Sequence, residues 1–230
     1  MIEEVQEILG IDLNILEQGS PEWRQVKLGV LSASECHEFM GGEKTQKFKK
    51  YVAKKIGEVM CAEPAEEFNA KALQWGKDNE DAARLAYQLK TKHKVKEVGF
   101  VFKKDDIYCG CSPDGIVEAT GYTKGLEIKC PVSQYVFPQA LMGEIKKEWE
   151  LQVQYSMYVT GYNEWDLTIY DPRCTRKKLF IKTYARDELI AEKIHAQVSL
   201  VRSLMDTFLS DNGYRFRDQW RDKIEVARRD

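Results

Sequence analysis

The sequence predicts an α/β or α+β fold in three layers, a central mixed β-sheet flanked by helices. Three observations predict it. Apolar residues recur at helical spacing up to residue 91 and again from about 144. Between them, short β-branched and aromatic runs are separated by Gly, Pro and Asp. Near the C-terminus two further strand-like runs lead into a long helical segment.

Taken in order, residues 2–9 have the pattern of a short amphipathic helix. Residues 21–28 and 32–40 suggest two more, the second opened by Ser32 or Ser34 as a cap. Gly41-Gly42 breaks the pattern, and a helix from about 45 to 60 follows. Pro64 marks a loop before a long helix over 67–91, with Trp75, Ala82, Ala86 and Leu89 as its apolar face. Strands are expected at 95–103, 107–111, 114–119 and 125–130, with turn chemistry over Thr120–Gly125 and Pro131 closing the last strand. A helix over 144–160, strands at 164–170 and 178–185, and a helix over 187–210 complete the chain. No internal repeat, low-complexity run or long linker divides it, so a single domain over 1–230 is expected.

Composition narrows the class. Hydrophobic residues make up 43% and charged residues 31%, which is ordinary for a globular domain with a sizeable core. Met1–Gly10 is acidic and lacks a basic stretch ahead of an apolar one, so no signal peptide is expected. No apolar window is long enough to cross a membrane as a helix, and a cytoplasmic protein is expected. The six cysteines form no CxxC pair and no zinc or iron–sulfur spacing, and read as reduced thiols. A net charge of −2 does not advertise a nucleic-acid binder. Its distribution says more: Lys44, Lys47, Lys49, Lys50, Lys54 and Lys55 cluster around Phe48 and Tyr51. That cluster is either a solvated helix face or a phosphate-contacting patch.

The chemistry concentrates in Ser112-Pro113-Asp114-Gly115 and Glu127-Ile128-Lys129. Side chains alternate along a strand, so Glu127 and Lys129 share a face, and the intervening hairpin returns Asp114 beside them. Asp114 and Glu127 can ligate one hard cation, with the Ile128 carbonyl as a third oxygen; Mg²⁺ suits such a set. A cation there offsets phosphate charge and lowers the pKa of a bound water, and Lys129 can orient that water or take its proton. The base role needs burial or a nearby cation, because free lysine titrates near ~10.4. The plainer readings are a solvated Glu–Lys pair and an ordinary Pro-Asp-Gly turn. On the long helix, Glu80 either pairs with Arg84 or supplies a third carboxylate. Trp149, Gln152 and Tyr155 share one helix face while Gln154 points elsewhere. Two glutamines in so apolar a helix need partners, either in a core network or at a substrate.

With these motifs in place, the chain resembles the lambda exonuclease-type, or YqaJ-type, viral recombinase family of the PD-(D/E)XK nuclease superfamily. The resemblance runs over nearly the whole chain. It rests on Trp23, Leu28-Gly29-Val30 and Ala33-Ser34-Glu35, then Asn69-Ala70-Lys71-Ala72-Leu73 and Trp75-Gly76-Lys77 with Glu80. Cys111–Gly115, Leu126-Glu127 with Lys129-Cys130-Pro131, Gln152–Met157 and Tyr170-Asp171-Pro172-Arg173 continue it in the same order. It implies a restriction-endonuclease-like core and a Mg²⁺-dependent processive 5′→3′ exonuclease on double-stranded DNA. Such enzymes release mononucleotides and leave 3′ overhangs. The resemblance further implies two metal ions per site, Mn²⁺ being an alternative to Mg²⁺, a ring-shaped homotrimer and a single-strand annealing protein as partner. The setting it implies is the cytoplasm of a bacterial host, with a phage or prophage gene.

By position, Asp114, Glu127 and Glu80 would be the metal-linked carboxylates, Lys129 would act on the water, and Gln152 would assist. Lys27, Ser34 and Ser112 would form a 5′-phosphate pocket. Trp23, Leu73, Lys44, Lys47, Lys49, Trp149 and Tyr155 would contact DNA, Leu73 as a wedge between bases. The chain departs from the family at Lys27, where the phosphate pocket has an arginine. Arg grips phosphate bidentately and Lys as a point charge, so weaker selectivity for a 5′-phosphate is expected. It departs also in a shorter, more Lys-rich segment after Gly42, and in Trp149 where a tyrosine stands. Two other readings remain: an endonuclease of the same superfamily, and a non-catalytic module that binds DNA ends.

Overall fold

The computed structural model describes residues 1–65, 70–119 and 121–221, with the backbone alone given for 70–73 and 119. The central layer is a five-stranded mixed sheet. Its strands are β2 (Lys94–Lys96), β5 (Gly115–Ala119), β6 (Tyr122–Lys129), β7 (Glu164–Tyr170) and β8 (Leu179–Ala185), in that spatial order. β5 and β6 form an antiparallel hairpin, whereas β6 and β7 run parallel, Lys129 opposite Ile169. A three-stranded sheet lies beside it: β1 (Leu31–Ser32), β4 (Asp106–Cys111) and β3 (Val101–Lys103) in the order β1-β4-β3. The chain passes from the small sheet to the large one between Cys111 and Gly115, so Ser112-Pro113-Asp114 stands at their junction.

Alternation along β6 divides the layers. Leu126 and Ile128 face helix α5 (Ala70–Thr91), packing with its Ala83 and Tyr87. Gly125, Glu127 and Lys129 point to the opposite face, toward helix α7 (Lys147–Thr160), whose Val153 and Met157 pack on Trp165 and Leu167 of β7. Helix α5 is tied to the sheet by a buried polar knot at Asp166. Its carboxylate accepts from the Tyr87 hydroxyl (2.5 Å) and Thr183 Oγ1 (2.6 Å) and meets Lys124 Nζ at 2.7 Å. A charge this deep is tolerable because its oxygens have donors. The larger apolar core lies under the small sheet, among α4 (Gln46–Cys61), α7 and α8 (Glu188–Asp211).

Several expected elements change. The run 95–103 divides into β2, which joins the large sheet, and β3, which joins the small one. Side chains replace the ladder between them: the Val98 carbonyl accepts from Gln18 and the Gly99 carbonyl from Trp23. A Cβ at Gly99 would stand 2.0 Å from the Leu16 carbonyl, so the chain can bend there only as glycine. The helix expected over 32–40 is instead β1, paired with β4, then a 3₁₀ turn at Ala33–Glu35 and the short α3 (Cys36–Phe39). Tyr122–Lys124, read as turn, belong to β6. The apolar face of α5 is Ala83, Ala86 and Tyr87; Ala86 packs there as expected, whereas Ala82 and Leu89 are exposed. A helix absent from the expectations, α6 (Val136–Leu141), covers Ile169 with Phe137 and Ala140. Two short helices complete the set: α1 (Ile2–Leu9) and α2 (Pro21–Val26). Among the described residues no helix is long and apolar enough to cross a membrane.

Candidate active site

Glu127 lies on the α7 face of β6 and is 3% exposed. Its Oε1 meets Lys129 Nζ at 2.7 Å and accepts from Gln152 Nε2 at 2.7 Å. Lys129 Nζ also donates to Gln152 Oε1 at 2.9 Å, which closes a triangle of carboxylate, ammonium and amide. Gln152 can do this because an amide presents one acceptor and two donors, and α7 crosses β6 at its position. The ring of Trp149, one turn earlier on α7, lies 6.0 Å from Lys129 Nζ and 4.9 Å from Lys146 Nζ.

Asp114 stands immediately before β5, opposite this triangle. Its amide donates to the Leu126 carbonyl at 3.1 Å, and its Oδ2 accepts from the Ile128 amide at 2.6 Å. A strand residue sends its N–H and C=O to the same edge, so the Ile128 carbonyl leaves β6 on Asp114's side. Burial, and then the charges of Glu127 and Glu80, push the Asp114 carboxyl well above the ordinary range. Lys129 and the Ile128 amide oppose that rise. For Lys129 burial favours the neutral amine, but Glu127 and Asp114 outweigh it and hold the ammonium above its ordinary value. Burial alone therefore does not ready Lys129 as a base.

Of the two readings of its position, Glu80 takes the pairing with Arg84. Its Oε1 pairs with Arg84 at 2.6 Å. Its carboxyl is raised by burial, against Arg84 and with Asp81 and Glu127 adding to the rise. Arg84 does more than its spacing suggested. It also reaches Asp81 Oδ1 (2.7 Å), Glu97 Oε2 (3.4 Å) and the Asp114 carbonyl (3.3 Å), which fixes α5 to the Asp114 turn. Gln18 bore no signal in the sequence, yet its Nε2 holds the Pro113 carbonyl (2.8 Å) and the Val98 carbonyl (2.9 Å). A cleft of about 790 Å³ opens here, lined among others by Gln18, Trp23, Lys77, Glu80, Arg84 and Asp114.

Trp23 and Ser112 meet beside this cleft, Trp23 Nε1 donating to Ser112 Oγ at 2.9 Å, and Lys27 Nζ stands 3.8 Å from the Trp23 ring centre. Ser34 is exposed, its Oγ 3.5 Å from that of Ser32. Lys44, Lys47 and Lys49 are exposed, Lys47 pairing with Glu38 at 3.5 Å. Lys54 and Lys55 leave the expected patch: Lys54 pairs with Glu35 (2.6 Å), and Lys55 is 3% exposed between Glu35 (2.8 Å) and Glu58 (3.0 Å). Tyr155 is also a correction. It is fully buried, and its hydroxyl donates to the Leu31 carbonyl at 2.7 Å, so no surface remains for DNA. Gln154 points away as expected, spanning the Ala185 carbonyl and the Asp187 amide. The side chain of Leu73 lies outside the described residues.

As placed, no three His, Cys, Asp or Glu side chains among the described residues stand together as a metal cage. The donor chemistry nonetheless fits a divalent cation. Asp114, Glu127 and Glu80 are hard oxygen donors, and the charge of Glu127 adds to the proton affinity of both Asp114 and Glu80, the mark of a site short of positive charge.

The family model for the YqaJ-like viral recombinase domain matches residues 22–163, which include every candidate residue read from the sequence, though not Gln18. Among solved structures, the chain is similar to an alkaline exonuclease, LHK-Exo, from Laribacter hongkongensis. The identity is 29%, over 82% of this chain and 93% of that one, with a TM-score of 0.73. It is similar to the same enzyme in complex with dAMP at 30% identity, equal coverage and a TM-score of 0.74. A phage-related exonuclease from Haemophilus somnus 129PT has a like fold at 15% identity, over 79% of this chain and 96% of that one, with a TM-score of 0.66. ExoD of Escherichia coli (strain K12) is 36% identical over 77 residues, 34% of this chain and 88% of that protein.

Proposed function

This chain belongs to the YqaJ-like viral recombinase domain family, and from that premise we propose that it is a Mg²⁺-dependent 5′→3′ exonuclease on double-stranded DNA. The observation that carries the proposal is the Glu127–Lys129–Gln152 triangle set against Asp114 at the junction of the two sheets.

Asp114, Glu127 and the Ile128 carbonyl would hold the metal, Mg²⁺ or Mn²⁺, with Glu80 adding a carboxylate for a second ion. Bound there, the metal supplies charge to offset the scissile phosphate and lowers the pKa of a water. The protein's own groups do the rest. Lys129, held beside Glu127 by Gln152, orients the attacking water and offsets charge developing on the phosphate. Gln152 holds Lys129 and Glu127 in one geometry. Trp23, Lys27, Ser34 and Ser112 receive the 5′-phosphate end, and Leu73 parts the terminal bases. The similar alkaline exonuclease forms a complex with dAMP, a mononucleotide of the kind this reaction releases. We further assign to it a homotrimeric ring, which would explain how a chain of net charge −2 stays on DNA, and a single-strand annealing partner for the 3′ overhang.

The test is digestion of linear duplex labelled separately at its 5′ and 3′ ends, with Mg²⁺ or EDTA, beside a circular control. Early metal-dependent release of the 5′ label as mononucleotide, with circles intact, is the expected result. Cutting of circles would establish an endonuclease instead, and binding of ends without cleavage a non-catalytic module.

A further inference from the structure

We propose that the tip of the β7–β8 hairpin, Arg176-Lys177-Lys178, holds the phosphate backbone of the DNA beside the active site; this rests on the DNA-cleaving reading above. The site gathers Glu80, Asp81, Asp114 and Glu127, which repel a polyanion. Two of the cations beside them are engaged, Lys129 with Glu127 and Arg84 with Glu80 and Asp81, while Lys77 also lines the cleft. A polyanionic substrate approaching this end of the sheet needs positive charge that is not already neutralised.

Topology supplies it. β7 runs parallel to β6, with Ile169 opposite Lys129, so the turn that leaves β7 emerges at the same end of the sheet as the catalytic strand. Strands lie about 4.8 Å apart and rise about 3.3 Å per residue, which puts the tip roughly 10–15 Å from Lys129. At about 3.4 Å per base step, that is about three to four base pairs from the bond being cut. Arg176, Lys177 and Lys178 are exposed there, and their side chains pair with no carboxylate among the described residues.

The tip is also anchored, unlike an ordinary solvated basic turn. Arg173 pairs with Asp171 (2.7 Å) and donates to the Pro131 carbonyl (3.1 Å) and the Val132 carbonyl (2.8 Å), in the loop that leaves the catalytic strand. Its guanidinium lies 4.9 Å from the Trp75 ring centre on α5. The Asp171 amide closes the turn on the Lys178 carbonyl at 3.0 Å. The motif Tyr170-Asp171-Pro172-Arg173 is thus a latch. It fixes the base of the turn that carries the three cations, so less backbone entropy is lost when they meet DNA.

The test is anisotropy of a fluorescent duplex in EDTA, titrated from low to high salt. The wild-type protein is compared with R176A/K177A/K178A and with a control, K90A/K92A/K94A, which removes equal charge at the far end of the sheet. Each phosphate neutralised by the protein steepens the salt dependence by nearly one unit, so the slope of log K against log salt should become shallower by about 2 to 3 in the tip variant only. Its KM for linear duplex in Mg²⁺ should rise several-fold while kcat holds. An unchanged slope in the tip variant, or an equal change in both variants, overturns this proposal alone. Failure of the wild-type protein to bind duplex overturns it together with the DNA-cleaving reading.

Discussion

At Asp114, burial and two neighbouring carboxylates act in one direction, and the carboxyl is driven well above its ordinary range. A carboxyl raised in the folded state lowers stability once pH exceeds its unfolded value, increasingly so up to its folded value, because the charged form is worse off in the fold than in the open chain. Asp114→Asn keeps an oxygen for the Ile128 amide and removes the charge. We expect the metal-free variant to gain a few degrees in Tm while losing cleavage, the usual trade at a strained site. A lower Tm in EDTA would show that Asp114 is not held against its preference. Lys129→Ala should cut the rate by on the order of 100-fold or more, and retained activity would move the chemistry elsewhere. The thiols differ in the same terms. Burial pushes Cys109 up to about 12, and burial with Glu80 and Asp114 does the same to Cys130, whereas Cys61 is exposed. Alkylation at about pH 8 followed by peptide mass analysis should therefore mark Cys61 first and spare Cys109 and Cys130 until the protein unfolds. Early labelling of Cys130 would contradict the closed geometry next to Lys129.

Between elements, two contacts decide how well the site is held. Gly125 lets β6 pass under Trp165: a Cβ there would fall 2.3 Å from the indole ring. Gly125→Ala should cost about 1–3 kcal/mol in urea unfolding and lower activity with it, since Glu127 and Lys129 share that strand. A neutral result would mean that Trp165 can move aside. The second contact joins α4 to the segment carrying Ser34. Glu35, Lys55 and Glu58 form a buried ion cluster, and Glu58 also accepts from the Gly29 amide at 3.0 Å. Burial resists the charge on Glu35, but Lys55 and Lys54 outweigh it and hold the carboxyl far below the ordinary range. Its contribution is therefore present above the unfolded carboxylate range and is lost as pH falls toward the folded value. Lys55, raised above its ordinary value, contributes below about 10.4 and loses that on further alkalinisation. The urea midpoint should fall from about pH 5 to about pH 3. Lys55→Met, which leaves two carboxylates without their buried partner, should cost about 3–5 kcal/mol at neutral pH and flatten that acid limb. An acid limb of undiminished slope would place the pH sensitivity elsewhere.

For the whole molecule, the proposed ring and its proposed hold on DNA are the features to test in solution. Sedimentation equilibrium should return the mass of three 26.7 kDa chains. A monomer that still digests kilobases without release would detach processivity from ring closure. With Lys27 in the proposed 5′-phosphate pocket, a modest rather than strict preference for 5′-phosphorylated ends is expected, because a point charge offers no bidentate grip. A strict requirement in side-by-side digestion of phosphorylated and hydroxyl ends would overturn that expectation.

The sequence by itself determined the layers and the reactive pair. Helical spacing and alternating strands are local periodicities, and Glu-x-Lys beside Pro-Asp-Gly brings its groups together through one hairpin and one strand face. Where a contact needs two distant segments, local pattern was silent. The run 95–103 reads as one strand because each half alternates properly; only Gln18 and Trp23, 80 and 76 residues away from the carbonyls they take, split it. Gln152 and Tyr155 share a helix face at the coarse level of spacing, yet one meets β6 and the other the Leu31 carbonyl, because α7 lies between two sheets. Lys54 and Lys55 read as part of a basic patch until Glu35 and Glu58 are seen against them. A side chain's partner depends on which surfaces the fold presses together, and spacing along one chain does not encode that.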